Sequence, residues 1–405
     1  MAEQEEFARG FLDSEARFTR GRLLVSAGWL VAAASLPGGA VSEAAAAKSR
    51  FVTRYGTRFY LNGMPWQLYG GSCYGTLNPG AQGTIGGTIQ LALQAKLNSI
   101  RLVEWFDERG LTADAPYEGA SWIRLDTILA AMRTAGLKAN LDLSCYRNHL
   151  QNYTLNHGGT TTPYSQDWSA FIRFAARRVN TVNGIPYRND PTIAIVSFAG
   201  EPNPPNSGEP LKPTTDELTS FYKRVFAQWK QYDRNHLLSS GGLLHIDWSE
   251  VYGNPSGPGG SPDGSGIDWK AIYALQDNDA PSIHSYWHAF PPTAATDYRS
   301  PKVQAYCAQI GKPWMTEEFG FLQAPVDYST SPPTTYTEAD RGSWYQLVYD
   351  IQRQGGSTAL SGWTPAAGVA FWNLGREVSP DSHDVNDQTP ATWAVVRANT
   401  PAAAP

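Results

Sequence analysis

The chain has 405 residues, 41% hydrophobic and 17% charged, with a formal net charge of −5. That length suits one large α/β barrel with an N-terminal extension, and the mild acidity excludes the basic field that nucleic acid or an anionic membrane surface would require. The three cysteines, Cys73, Cys145 and Cys307, are too few and too scattered for a disulfide framework or a zinc pattern and read as buried free thiols.

Residues 1–48 read as a leader. LLVSAGWLVAAASL (Leu23–Leu36) follows Arg17, Arg20 and Arg22 and precedes the small-residue run SEAAAAKS, as in a secretory signal. The acidic start (Glu3, Glu5, Glu6, Asp13, Glu15) and Gly21, which interrupts the arginines of FTRGRLL, depart from the usual pattern. The run is too short to span a bilayer comfortably. A secreted protein without a membrane anchor is therefore expected, with one catalytic domain over 49–398 and a disordered tail over 399–405.

Past residue 48, short apolar runs alternate with amphipathic helices. WQLYGGSCY is strand-like. TIQLALQAKL has helical spacing and leads into the strand NSIRLVEWF. LDTILAAMRTAG sets Leu125, Ile128, Leu129 and Met132 on one helical face and ends at the capping Gly136. KANLDLSCY is the third strand. SQDWSAFIRFAARRVN aligns Trp168, Phe171, Ile172, Ala175 and Val179, and TIAIVSFAG is the fourth strand. TTDELTSFYKRVFAQWKQY opens with a capping box, Thr214 to Glu217, and stripes Leu218, Phe221, Val225, Trp229 and Tyr232. HLLSSGG, PSIHSYW, KPWMTEEFG and GVAFWNLG complete about eight strands, with the helix RGSWYQLVYDIQRQGG before the last. Continuous apolar strands separated by helices predict a (β/α)8 TIM barrel. The Gly/Pro/Ser segment Gly253–Gly266 reads as an exposed rim loop.

In such a barrel the functional groups gather at the C-terminal strand ends. Strand two ends with Arg101, Glu104 and Trp105, strand four with Glu201, and strand six with His284, Tyr286 and His288. Strand seven ends with Glu317 and Glu318, strand eight with Trp372, and His245 and Trp248 follow strand five. Acids on strands four and seven face each other across the mouth, an arrangement suited to retaining glycoside hydrolysis, where the carboxyls lie about 5 Å apart. No Gly-rich phosphate loop or serine nucleophile elbow is present. His284 and His288, four apart on a strand, are too distant to chelate one ion easily, so no metal and no cofactor are expected. The 14 Trp, 20 Tyr and 15 Phe exceed the needs of a core and supply flat faces for sugar rings. Of Glu317 and Glu318, strand alternation turns only one inward.

The run FYLNG, Arg101, Gly200-Glu201-Pro202, His284 with Tyr286, Glu318-Phe319-Gly320 and Trp372, in this order over most of the chain, resembles glycoside hydrolase family 5 and its clan of barrel glycosidases. The resemblance implies Glu201 as acid/base and Glu318 as nucleophile, leaving Glu317 outward against a helix N-terminus or a cation. It implies Arg101 and Tyr286 as hydrogen-bond donors to Glu318, His284 as a positioner of the acid/base or the substrate, and Trp372 as the floor of the subsite. Trp105, Trp248 and Asn203 complete the residues expected at the substrate. Two departures stand out. Gly200 replaces the asparagine with which the family bonds the sugar 2-hydroxyl, and strand three carries Leu143-Ser144-Cys145-Tyr146, with Asn148 and His149 as substitutes.

A change at the 2-hydroxyl contact tilts the expected substrate toward β-1,4-mannosides, as does the resemblance of LVEWF and EEFG to the mannan-active branches. The partner is then a β-linked oligo- or polysaccharide acted on by a monomer. Exo-β-mannosidase and endo-β-1,4-glucanase are the enzymatic alternatives. A non-catalytic carbohydrate-binding protein is the alternative of another class; loss of either carboxylate would mark it, and both are present.

Overall fold

The apolar runs are short because each needs to cross only one barrel wall. In the computed structural model, the described residues are 50–77, 83–246, 264–287, 290–294, 297, 299–327, 330–354 and 365–400. Eight parallel strands among them form one sheet: β1 (Leu68–Ser72), β2 (Ser99–Leu102), β3 (Lys138–Asp142), β4 (Ile193–Ser197), β5 (Leu237–Ser239), β6 (Ser282–Ser285), β7 (Met315–Phe319) and β8 (Gly368–Phe371). Their order is β5-β4-β3-β2-β1-β8-β7-β6. The seam between β5 and β6 closes through a parallel bridge of Leu243 with Ile283 and a 2.8 Å contact between the Ser239 and Ser282 hydroxyls. This is the (β/α)8 barrel that the strand and helix pattern predicts.

Strand residues that face outward, such as Ile100, Leu141, Val196, Leu238, Ile283, Phe319 and Val369, join the main core with the helices. The helix Thr215–Lys230 shows how. Thr214 accepts a hydrogen bond from the Glu217 amide, and Glu217 reaches back to the Thr214 amide, so the predicted capping box forms. Its apolar stripe Leu218, Phe221, Tyr222, Val225, Phe226 and Trp229 is buried, at about 1.5–3 kcal/mol for each large side chain. The helix Gly119–Ala135 ends at Gly136, whose φ of 73° suits the expected glycine cap. Beneath the barrel, the antiparallel strands Thr53–Tyr55, Arg58–Leu61 and Met64–Trp66 plug the bottom. Phe59 there joins Leu68, Ile195, Leu237 and Met315.

Several boundaries differ from the sequence reading. The third strand stops at Asp142, and Ser144–Asn156 is a helix, because Asp142 Oδ1 accepts the Ser144 amide and turns the chain. The helix over SAFIRFAAR stops at Arg177, which leaves Val179 half exposed and bridged to Pro186. The expected tail boundary is too early: the last helix runs Pro390–Asn399, and Thr400 is buried with its hydroxyl on the Ala95 carbonyl. All three cysteines are buried free thiols, and burial pushes Cys73 and Cys307 up to about 12. No described helix is long and apolar enough to cross a membrane. The leader run and residues 253–263 of the rim loop lie outside the described residues.

Candidate active site

The strand ends bring Glu201, His284 and Glu318 together. One carboxylate oxygen of each acid and a ring nitrogen of His284 lie within 4.8 Å of one another. Glu318, next to last on β7, accepts from Arg101 Nη1 at 2.5 Å and from the Tyr286 hydroxyl. Arg101, on β2, also donates from Nε and Nη2 to Asp142 Oδ2 at 3.0 and 2.5 Å and from Nη1 to Ser72 at 3.2 Å. Burial alone would lower the Arg101 pKa, but Asp142, Glu318 and Glu317 around it reverse the sign and keep it cationic. Burial and the Glu318 charge raise the Tyr286 pKa, so the phenol keeps its proton and donates.

Glu201 follows β4 in a strained turn. Ala199 and Glu201 have φ of 37° and 48°, a conformation that costs a non-glycine residue on the order of 1 kcal/mol or more and clusters at functional sites. Its side chain is 40% exposed, and Oε1 meets His284 Nδ1 at 2.7 Å. Burial favours the neutral acid, yet the hydrogen bond and charge of His284 prevail and hold Glu201 at about 2. His284 is displaced the other way: burial lowers it, while Glu318 and Glu201 raise it further. The two shifts run in opposite directions across the one hydrogen bond that joins Glu201 Oε1 to His284 Nδ1. Glu318 and Glu201 thus have different surroundings: one accepts from a permanent cation and a phenol, the other meets a histidine. The three side chains also have metal-site spacing; Glu201 Oε1, His284 Nδ1 and both Glu318 oxygens are engaged with each other, Arg101 and Tyr286, while His284 Nε2 is buried without a hydrogen-bond partner.

Gly200 is explained by packing. A Cβ there would lie 2.0 Å from the Gly241 carbonyl oxygen, backbone against backbone. No asparagine fits. Gly242, at φ 77°, gives similar clearance under His284, whose Cδ2 would be 2.0 Å from an added Cβ. Gly200→Ala is expected to cost about 3 kcal/mol by forcing the ends of β4 and β5 apart, lowering Tm by roughly 5 °C. Calorimetry checks this, and an unchanged Tm would contradict the packing account.

The other expected residues divide between the cavity and the core. Trp372 lines the cavity and lies 5.3 Å from the Tyr74 ring. Trp105 is a correction: past Glu104, at φ 47°, it is fully buried against Phe106 and Trp122. Asn203 is committed below the site, accepting from Arg147 and Tyr164 and donating to the Pro210 carbonyl. His149 is buried against Tyr146 and Phe106, while Asn148 lines the cavity. Trp248 and His288 lie outside the described residues.

Glu317 is the second correction. It is 1% exposed and points into the barrel, accepting from Asn140 at 2.5 Å, Ser197 at 2.6 Å and Ser282 at 2.8 Å. A register shift in the β7–β6 pairing between Thr316 and Glu318 breaks the alternation, so both acids face inward. Sequence reasoning missed Asp142, Glu108 and Arg147. An aspartate at the end of a barrel strand was the one available signal; Glu108 and Arg147 lie beyond the strand ends and reach the cavity through the loop after β2 and the helix Ser144–Asn156.

Comparison with known proteins gives a consistent set. A family model described as GH family 5 beta-mannosidase-like matches residues 146–389. A mannan endo-1,4-beta-mannosidase 2 of Oryza sativa subsp. japonica is 25% identical, with 86% of this chain and 82% of that protein covered. The endo-1,4-beta-mannanase of Rhizomucor miehei superposes with a TM-score of 0.62 at 20% identity, covering 86% of this chain and 99% of that one. The glycoside hydrolase family 5 mannosidase of the same organism gives 0.61 at 16%, covering 87% and 97%.

Proposed function

The chain belongs to the β-mannosidase-like members of glycoside hydrolase family 5, and as a glycosidase of that family we propose that it cleaves β-1,4-mannosidic bonds in mannan or manno-oligosaccharides by a retaining double displacement. The observation that carries this reading is the pair of carboxylates within 4.8 Å, near the spacing of retaining rather than inverting enzymes. Glu318 attacks the anomeric carbon while the proton on His284 passes through Glu201 to the glycosidic oxygen, which leaves Glu201 ionised. The C–O bond breaks and a mannosyl ester forms on Glu318. A water then gives its proton to Glu201 and attacks the same carbon, releasing the sugar with its configuration retained and freeing Glu318. Arg101 and Tyr286 keep the nucleophile charged and aimed, and Trp372 offers a face to the ring. This chemistry needs side chains alone, and the same reading has the protein exported and acting as a monomer.

Mannose is supported by the relatives' names. Exo action on short oligosaccharides is a second reading, favoured by a cavity of about 230 Å³ around the pair, small for a chain and suited to one ring. The test is the product profile on mannopentaose with cellopentaose as control. Mannobiose and mannotriose together indicate internal cleavage, and mannose released singly indicates exo action. Cleavage of cellopentaose alone would overturn the mannoside reading.

A further inference from the structure

The cavity that holds Glu201 and Glu318 has a second acidic wall that the proposed reaction does not use. Glu104 and Glu108, from the loop after β2, line it with Arg147 and Asn148 from the helix Ser144–Asn156. Asn148 Nδ2 donates to Glu108 Oε2 at 2.7 Å, while Glu108 Oε1 is buried without a partner. Glu104 accepts no hydrogen bond among the described residues, and its backbone holds the left-handed conformation at φ 47°. Arg147 is only 9% exposed. Its guanidinium termini bond the Gly200 and Glu201 carbonyls, yet its Nε–H has no partner.

Burying polar groups unpaired costs roughly 1–3 kcal/mol each, so a wall with an open acceptor and an open donor fits a ligand that supplies both. A sugar hydroxyl does so. Arg101, Asp142, Glu201 and Glu318 line the same cavity, so the wall borders the ring whose anomeric carbon Glu318 attacks. We propose that Glu104 and Glu108, with the Arg147 Nε–H, are specificity-determining residues that hold hydroxyl groups of the glycone ring during cleavage. This rests on the β-mannosidase reading and deepens it. Burial, with the neighbouring acids, raises Glu104 to about 7 and Glu108 to about 8. Near neutral pH a protonated carboxyl in the wall can donate as well as accept.

The experiment compares wild type, Glu104→Ala and Glu108→Ala on 4-nitrophenyl β-D-mannoside and its 3-, 4- and 6-deoxy analogues. Folding is checked by circular dichroism. The expected result is a fall in kcat/KM of about 10- to 100-fold for either variant, carried mainly by KM. For one deoxy analogue the penalty of the variant disappears, because the hydroxyl that the carboxyl reads is already gone. Deoxy analogues used on wild type alone give the same information if a variant fails to fold: no deoxy penalty there overturns the proposal. An equal penalty on every analogue, or a loss confined to kcat with a shifted pH profile, also overturns it, since either outcome marks an effect on Glu318 rather than contact with the sugar. A wild type inert on every β-mannoside overturns the parent reading and this inference with it, whereas an active wild type with unchanged variants overturns this inference alone.

Discussion

Glu318→Gln leaves a folded protein that still binds manno-oligosaccharide but turns it over at least about 10⁴-fold more slowly. The amide keeps the shape of the side chain and loses the charge that attacks the anomeric carbon. Folding survives because Arg101 retains Asp142, with Glu317 at 3.7 Å. The neighbouring Glu317→Gln is the control. Glu317 accepts from Asn140, Ser197 and Ser282 inside the barrel, so an amide there sets donor against donor and costs stability, about 1–3 kcal/mol, without removing the nucleophile. Kinetics on 4-nitrophenyl β-mannoside, paired with calorimetric binding of mannotriose, separates the two. A Glu318→Gln enzyme with more than a tenth of wild-type activity would contradict the assignment, as would a well-folded Glu317→Gln enzyme with none.

Glu201→Ala is expected to depend on the leaving group. On mannobiose, whose leaving hydroxyl needs a proton, kcat/KM falls about 10²- to 10⁴-fold. On 2,4-dinitrophenyl β-mannoside the first step needs little acid assistance and stays fast, but the mannosyl ester accumulates because no base activates water. Azide, which needs no base, then restores turnover and yields β-mannosyl azide. His284 is not expected to substitute, since without the Glu201 oxygen its Nδ1 faces Glu318 Oε2, 3.6 Å away, rather than the leaving oxygen. An equal loss on both substrates, with no azide product, would remove Glu201 from the acid/base role.

The barrel was legible because strands buried on both faces must be apolar throughout and the helices between them carry their caps in the sequence, as Thr214–Glu217 and Gly136 do. The convergence of Arg101, Glu201, His284, Tyr286, Glu318 and Trp372 was legible because a parallel barrel delivers its strand ends to one mouth. What could not be read is local backbone irregularity. The register shift at Thr316/Glu318 brings Glu317 inside, and nothing in MTEEF marks it. The turn at Glu104 sends Trp105 into the core, although a tryptophan at a strand end looks like a sugar platform. Gly200 looked like a lost contact; the close approach of Gly241, a feature of two strands distant in sequence, makes it a packing requirement.

The most direct measurement is to trap the covalent intermediate. A 2-deoxy-2-fluoro-β-mannosyl fluoride forms the ester on the nucleophile but slows its hydrolysis, and peptide mass spectrometry then locates the label. The account predicts one fluoromannosyl group per chain, on Glu318 of the peptide containing MTEEFG. Label on Glu317, or on another residue, would contradict it, as would activity on β-mannosides with no ester trapped.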